Sequence, residues 1–221
     1  MSFISLNFVV LFACTFILYH TLPSRFRKAT LLTASCLFIG FYHLTFLITA
    51  LILTLTTFYL GKWIGQAKRE SGMKGIYFSG VCFLVVSWLA FRYADRLTNC
   101  HILFPLGISF YTFQAISYLT EIYWQEEEPE KSLPDFMIYM LFFMKFLSGP
   151  IERASDMLPQ LKSCKATDYA SMVYGMRLIV VGLIKKLILA DSIAPYIDGV
   201  FGSVYTCLLY TSDAADDSLR V

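Results

Sequence analysis

Residues 29–65 read ATLLTASCLFIGFYHLTFLITALILTLTTFYLGKWIG, an apolar run without a charged side chain until Lys62. As one helix it would measure about 55 Å, against a bilayer hydrocarbon core of about 30 Å. One span cannot absorb that length by ordinary tilt. The run is therefore expected to be two helices that bend near Tyr42 and His43 and return the chain to the side from which it came.

The same pattern extends in both directions. Upstream, Phe3 to Leu22 is a span-length apolar segment that ends at Pro23 and the cations Arg25, Arg27 and Lys28. Basic residues in short loops fix a span's orientation, so that loop is placed in the cytoplasm. Nothing before Pro23 is charged, which argues against a cleaved leader and for a retained first helix. Downstream, Lys62, Lys68, Arg69 and Lys74 outweigh Glu70 and mark a second cytoplasmic loop. A fourth span is expected over 75–91, followed by a loop holding Arg92, Asp95 and Arg96, and a fifth over 102–124. The acidic run Glu126, Glu127, Glu128 and Glu130 reads as a solvated loop.

Phe136 to Leu147 is apolar but short, and Ser148-Gly149-Pro150 breaks it. A crossing there would put Arg153, Lys162 and Lys165 outside, against the rule that located the earlier loops. A re-entrant or broken helix near 136–151 keeps them inside; irregular backbone at that depth needs protein or a cavity around it. A last apolar helix is expected over 169–190, with Lys185 and Lys186 anchoring its end and Asp191 to Pro195 terminating it.

Composition agrees. The 221 residues are 57% hydrophobic and 15% charged, whereas soluble domains run at about 45–50% and about 25%. The reading is an all-α integral membrane protein, a polytopic helical bundle of six or seven helical elements, with the lipid bilayer as its solvent. The net charge of +2 comes with no basic stripe interleaved with aromatics, so no nucleic-acid partner is expected. The six cysteines form no CxxC pair, and no metal site is predicted. Residues 1–203 read as one transmembrane domain. Residues 204–221 break in composition from everything upstream and resemble read-through sequence.

Three segments carry a resemblance: PLGISFYTFQAISYLTEIY over 105–123, FFMKFLSGPIERA over 142–154 with LPQL over 158–161, and GLIKKLILAD over 182–191 followed by APYID over 194–198 and Phe201. In this order and spacing they resemble the membrane-bound O-acyltransferase family, in its alginate O-acetyltransferase branch. Met144 and Ile184 depart from the residues usual there. The resemblance implies the N-terminal part of a bacterial inner-membrane, multi-pass enzyme with a partial family architecture. It also implies an acyl donor (acyl-CoA or an acyl carrier) as co-substrate, no bound cofactor, a polysaccharide acceptor, and further polysaccharide-modification subunits as partners. The family's catalytic histidine falls downstream of this sequence. His20, His43 and His101 stand in no family motif, so no catalytic residue is assigned and the fragment is expected to be inactive.

A sugar hydroxyl needs a positioned base and preorganised donors before it attacks an acyl group. This sequence can supply walls for such a site. Ser109, Tyr111 and Gln114 bring polar groups into an apolar helix, as tunnel lining or as interhelical hydrogen bonds. Glu121 is either a structural ion-pair partner or a cavity group. Lys145, Glu152 and Arg153 flank the Gly149-Pro150 break, and charge beside broken backbone at membrane depth points to a site; Arg153 suits a donor phosphate. Tyr111, Gln114, Glu121, Lys145, Glu152 and Arg153 are the predicted substrate-binding set. A transporter or channel, which also uses broken helices, is the competing class.

Overall fold

Pro23 and His43 set the first two turns of the chain. The computed structural model describes residues 6–67, 69–98, 105, 107–146, 149–163 and 168–202; among them there are nine α-helices, one π-helical segment and no strand. Helix α1 (Leu6–Thr21) precedes Pro23, which opens α2 (Ser24–Tyr42), as proline's fixed φ favours at a helix start. His43, extended at φ −165° and ψ 137°, separates α2 from α3 (Leu44–Gln66). The bend expected at Tyr42 and His43 is where the helix breaks.

Helix α3 is the centre of the first unit and packs on α2, α4 (Glu70–Thr98), α5 (Ile108–Tyr123) and α6 (Leu133–Leu141). It buries Thr49, Thr54 and Thr57 at no polar cost, because each hydroxyl donates to a carbonyl one turn back at 2.7–2.8 Å. A Cβ on Gly61 would lie 2.7 Å from the Tyr118 ring, so α3 and α5 approach closely there. Around this point Phe58, Tyr118, Phe136 and Tyr139 form an aromatic core, with the Tyr118 and Phe136 centroids 4.6 Å apart. Helix α7 (Ala154–Ser163) packs on α6.

The chain divides between Lys165 and Ala166 into two compact units. The described part of the second unit is helix α8 (Tyr169–Ile184), the π-helical segment Lys185–Ala190 and helix α9 (Asp191–Gly202). None of its described side chains is buried, although it carries Leu178, Ile179, Val180, Leu183, Ile188 and Leu189. Lys186 pairs with Asp191 at 2.6 Å across the join between the last two elements.

Among the described residues two helices, Leu44–Gln66 and Glu70–Tyr93, are long and apolar enough to cross a bilayer, and Leu6–Thr21 is a shorter apolar helix. Several expectations need correction. There are more helical elements than six or seven, because the polar face of α7 hides it from a hydropathy reading and the last apolar segment continues past its expected end. The loop expected at Arg92, Asp95 and Arg96 is helical: α4 runs to Thr98, since nothing between Phe91 and Thr98 breaks a helix. Helix α5 starts at Ile108, after Gly107 at a left-handed φ of 73°, and 102–104 of the expected fifth span lie outside the described residues. Asp191 to Pro195 does not end the last helix; the π-helical turn re-registers the backbone and α9 carries Pro195 within it. Around the break at 136–151, α6 is only nine residues long and is followed by turns, matching a short broken element. Lys68, His101, Cys100, Leu147, Ser148, Cys164, Lys165, Cys207 and the tail 204–221 lie outside the described residues.

Candidate functional site

The stretch from Glu130 to Asp156 gathers most of the buried charge of the first unit. Its start is set by local capping: Ser132 accepts from the Asp135 backbone N–H at 3.5 Å, and a proline in the first turn completes the helix start. Glu130 belongs to the acidic run read as solvated, and here that reading fails. Its carboxylate is buried, accepts the Lys131 and Ser132 backbone N–H groups at 2.9 Å each and meets Lys162 Nζ at 2.6 Å, while its own N–H donates to the Tyr118 hydroxyl at 3.0 Å. These partners compensate the desolvation of the carboxylate and its backbone. Glu126, Glu127 and Glu128, in contrast, are exposed.

The Glu130 carboxylate also holds the Lys162 ammonium above its usual range, through their hydrogen bond first. A raised lysine contributes stability that is complete below its unfolded value, about 10.4, and is lost as pH rises through the folded value. The pair should therefore persist through neutral pH and release only in strong alkali. Glu130→Ala should cost about 2 kcal/mol, because it orphans two backbone donors at once. Lys162→Ala, which removes a half-exposed partner, should cost well under half of that; chemical denaturation of the two variants in one detergent checks the ordering.

A second pair ties α2 to α6. Lys28 Nζ lies 2.7 and 2.9 Å from the two carboxylate oxygens of Asp135, which is buried. The third pair lies beyond Phe142, where α6 ends. Lys145 is 6% exposed and its ammonium reaches Glu152 at 3.5 Å, the Met157 sulfur at 3.0 Å and the face of Tyr139 at 4.4 Å. A Cβ on Gly149 would stand 2.5 Å from Lys145 Cα, so the turn closes directly on the lysine backbone.

Hydrogen bonds link these groups across several elements. Gln114 Nε2 donates to the Tyr139 carbonyl at 2.9 Å, and the Tyr139 hydroxyl donates to the Glu152 carbonyl at 3.0 Å. The Phe143 N–H donates to the Ser35 hydroxyl on α2 at 3.3 Å. Of the predicted set, Lys145 and Glu152 meet directly. Glu152 lines a cleft of about 430 Å³ together with Tyr19, Lys28, Asp156, Met157 and Gln160. Arg153 is exposed beside it. Gln114 and Tyr111 are buried in helix packing rather than on that cleft, and Tyr111 stacks on Phe146 with centroids 5.4 Å apart. Glu121 is buried, accepts from Ser117 at 3.3 Å, and faces Arg153 and the first N–H groups of α7 at Ala154 and Ser155. Ser109 accepts from the Trp88 indole N–H at 3.0 Å.

Sequence reasoning misses Asp135, Glu130 and Tyr139 and gives Lys28 only a topological role. The Ser132-Leu133-Pro134-Asp135 helix start is a usable signal for the position of Asp135, but nothing local announces a lysine so far away in sequence as its partner.

No family model and no solved structure matches the chain. Curated relatives do. A probable alginate O-acetylase of Azotobacter vinelandii is 31% identical over 91% of this chain and 44% of the relative. Its counterpart from Pseudomonas aeruginosa is 30% identical over 91% of this chain and 42% of the relative. A peptidoglycan O-acetyltransferase of Helicobacter pylori is 26% identical over 78% of this chain and 40% of the relative. The resemblance carried by the three motifs is thereby borne out at the level of O-acetyltransferases, and a transporter is not favoured. The chain spans less than half the length of the curated relatives it matches.

Proposed function

We propose, from its similarity to the alginate O-acetylases, that this chain is the N-terminal part of a multi-pass inner-membrane O-acyltransferase that moves an acetyl group from a cytoplasmic donor to hydroxyls of an exported polysaccharide. The observation that carries the reading is the extent of the similarity: it runs through nearly the whole chain rather than through one motif. The bilayer placement is supported by α3 and α4, which have span length and composition, and by the apolar side chains that the second unit leaves exposed. Such surface is costly in water and costs nothing in lipid.

In this reading the first unit is the wall of the site and supplies no base. Acyl transfer requires a group to take the hydroxyl proton. Among the described histidines, His20 Nδ1 is engaged with the Phe16 carbonyl at 3.0 Å, and His43 forms the hinge between α2 and α3. The base is proposed to lie in the part of the longer protein that this chain does not span. Lys145 fixes Glu152 at the edge of the cleft, and Arg153, exposed alongside, offers a planar fork to a phosphate of the donor. Tyr111, Gln114 and Glu121 act one layer further in: Gln114 holds the Tyr139 carbonyl and Glu121 holds the start of α7, which together fix the loop bearing Glu152 and Arg153.

The test compares the longer reading frame with the 221-residue chain in membranes supplied with labelled acetyl donor and polysaccharide. The longer frame should acetylate and the short chain should not. Arg153→Ala in the longer frame should raise KM for the donor roughly tenfold, the loss of one charge-assisted hydrogen bond, with kcat little changed. Failure of the longer frame to acetylate any polysaccharide hydroxyl sinks the reading, and turnover by the short chain removes the claim that the base lies elsewhere.

A further inference from the structure

Two clefts in the first unit share the wall residues Tyr19, Leu31 and Phe142. The larger, of about 430 Å³, presents Lys28, Glu152, Asp156 and Gln160. The other, of about 250 Å³, is lined by Phe12, Phe16 and Met144 with Thr15 and His20. Those last two add little polarity, because the Thr15 hydroxyl donates to the Leu11 carbonyl at 2.7 Å and His20 Nδ1 is bound to the Phe16 carbonyl at 3.0 Å. With three walls in common, the clefts form one slot with a charged end and an apolar end.

The charged end is specific in its layout. An ammonium has three N–H donors; Lys28 hydrogen-bonds one carboxylate oxygen of Asp135 at 2.9 Å, stands 2.7 Å from the other as an ion pair, and keeps its side chain 33% exposed on the cleft. Donor capacity is left for an anionic oxygen. Two carboxylates line the same cleft: Glu152, 45% exposed and held by Lys145 at 3.5 Å, and Asp156, exposed in the first turn of α7. Gln160 gives one N–H of its Nε2 to the Asp156 carbonyl at 2.9 Å and keeps its amide oxygen as an acceptor. A cation and two carboxylates on one cleft match a head group that carries a phosphate beside a primary ammonium. A purely anionic head would face Glu152 and Asp156 at a loss.

We propose that the slot between α1, α2 and α7 binds an aminophospholipid, its phosphate on Lys28, its ammonium between Glu152 and Asp156, and an acyl chain along Phe12, Phe16 and Met144. The proposal rests on the bilayer placement argued above. It adds a lipid ligand to the cleft beside which Arg153 is proposed to meet the donor phosphate.

The 221-residue chain, purified in mild detergent, is titrated with phosphatidylethanolamine, phosphatidylcholine or phosphatidylglycerol of matched acyl chains, and bound lipid is read by native mass spectrometry. Phosphatidylethanolamine should be retained about tenfold better than phosphatidylglycerol, the scale of one additional charge-assisted hydrogen bond. Asp156→Asn should cut that preference to about threefold or less without weakening phosphatidylcholine. Leu31→Trp, which fills the waist between the clefts, should lower retention of all three lipids. Equal retention of ethanolamine and glycerol lipids, or a Leu31→Trp variant that binds as before, overturns the proposal. Alkaline carbonate extraction of the membranes separates the two levels: release of the protein sinks the bilayer reading and the lipid site together, whereas retention without lipid preference sinks the lipid site alone.

Discussion

Gly107→Ala is expected to destabilise the first unit by about 3 kcal/mol or more, the combined scale of a left-handed non-glycine residue and an overpacked core position. Gly107 sits at φ 73°, immediately before α5, and a Cβ built there collides with the backbone carbonyl oxygen of Phe146. Neither problem can be relieved by a side-chain rotation. The left-handed φ is needed to turn the chain into the helix, and the colliding atom is main chain in the turn that carries Lys145. The substitution should therefore disturb two things at once, the start of α5 and the seat of the Lys145–Glu152 pair. Gly175→Ala in α8 is the control: nothing lies within 4 Å of its added Cβ, and helix propensity predicts a neutral or slightly stabilising effect of up to about 1 kcal/mol. Thermal unfolding of both variants in the same detergent decides the matter; equal transition temperatures would show that the turn at Gly107 is not constrained as described.

Lys28→Ala is expected to cost about 2–3 kcal/mol, somewhat below the range for a fully buried pair because the lysine is one-third exposed. The loss is not the value of the ion pair itself. It is the cost of leaving the Asp135 carboxylate, only 5% exposed at its side chain, without its cation between α2 and α6. A pair replaced on both sides by apolar groups removes that cost, so Lys28→Met combined with Asp135→Leu should regain most of the loss. A double variant no more stable than the single one would mean that Lys28 acts through its aliphatic stem rather than through its charge.

How much of this is legible in the sequence divides along a physical line. The bend at Tyr42 and His43 can be read because an apolar run has a length and a bilayer has a thickness; two lengths are enough. The short element near 136–151 can be read because an apolar run too short to span meets Gly149-Pro150, a pair that disfavours helix, proline by its lost N–H and glycine by its backbone freedom. The extension of α4 through Arg92 cannot, because a hydropathy pattern marks the end of the greasy stretch and says nothing about where hydrogen bonding stops. The α9 continuation escapes for a related reason: Pro195 reads as a terminator until the wider turn of the Lys185–Ala190 segment ahead of it is known.

The candidate site divides in the same way. Lys145, Glu152 and Arg153 are marked by charge placed beside broken backbone, a purely local signal, and two of them pair. Glu130 is misread because a run of four glutamates looks uniformly wet, yet one of them turns inward to receive two backbone N–H groups and a lysine.

The sequence by itself determined the helical class, the apolar stretches, the His43 hinge and the similarity to O-acetyltransferases, because each of these is a property of consecutive residues. Only the tertiary structure decided that Lys28 meets Asp135, that Glu130 meets Lys162, and that the Lys28 and Glu152 side chains open on one cleft. Those pairings depend on how helices cross, and a crossing is set by the shapes of two distant surfaces, which no local pattern of charge or hydropathy records.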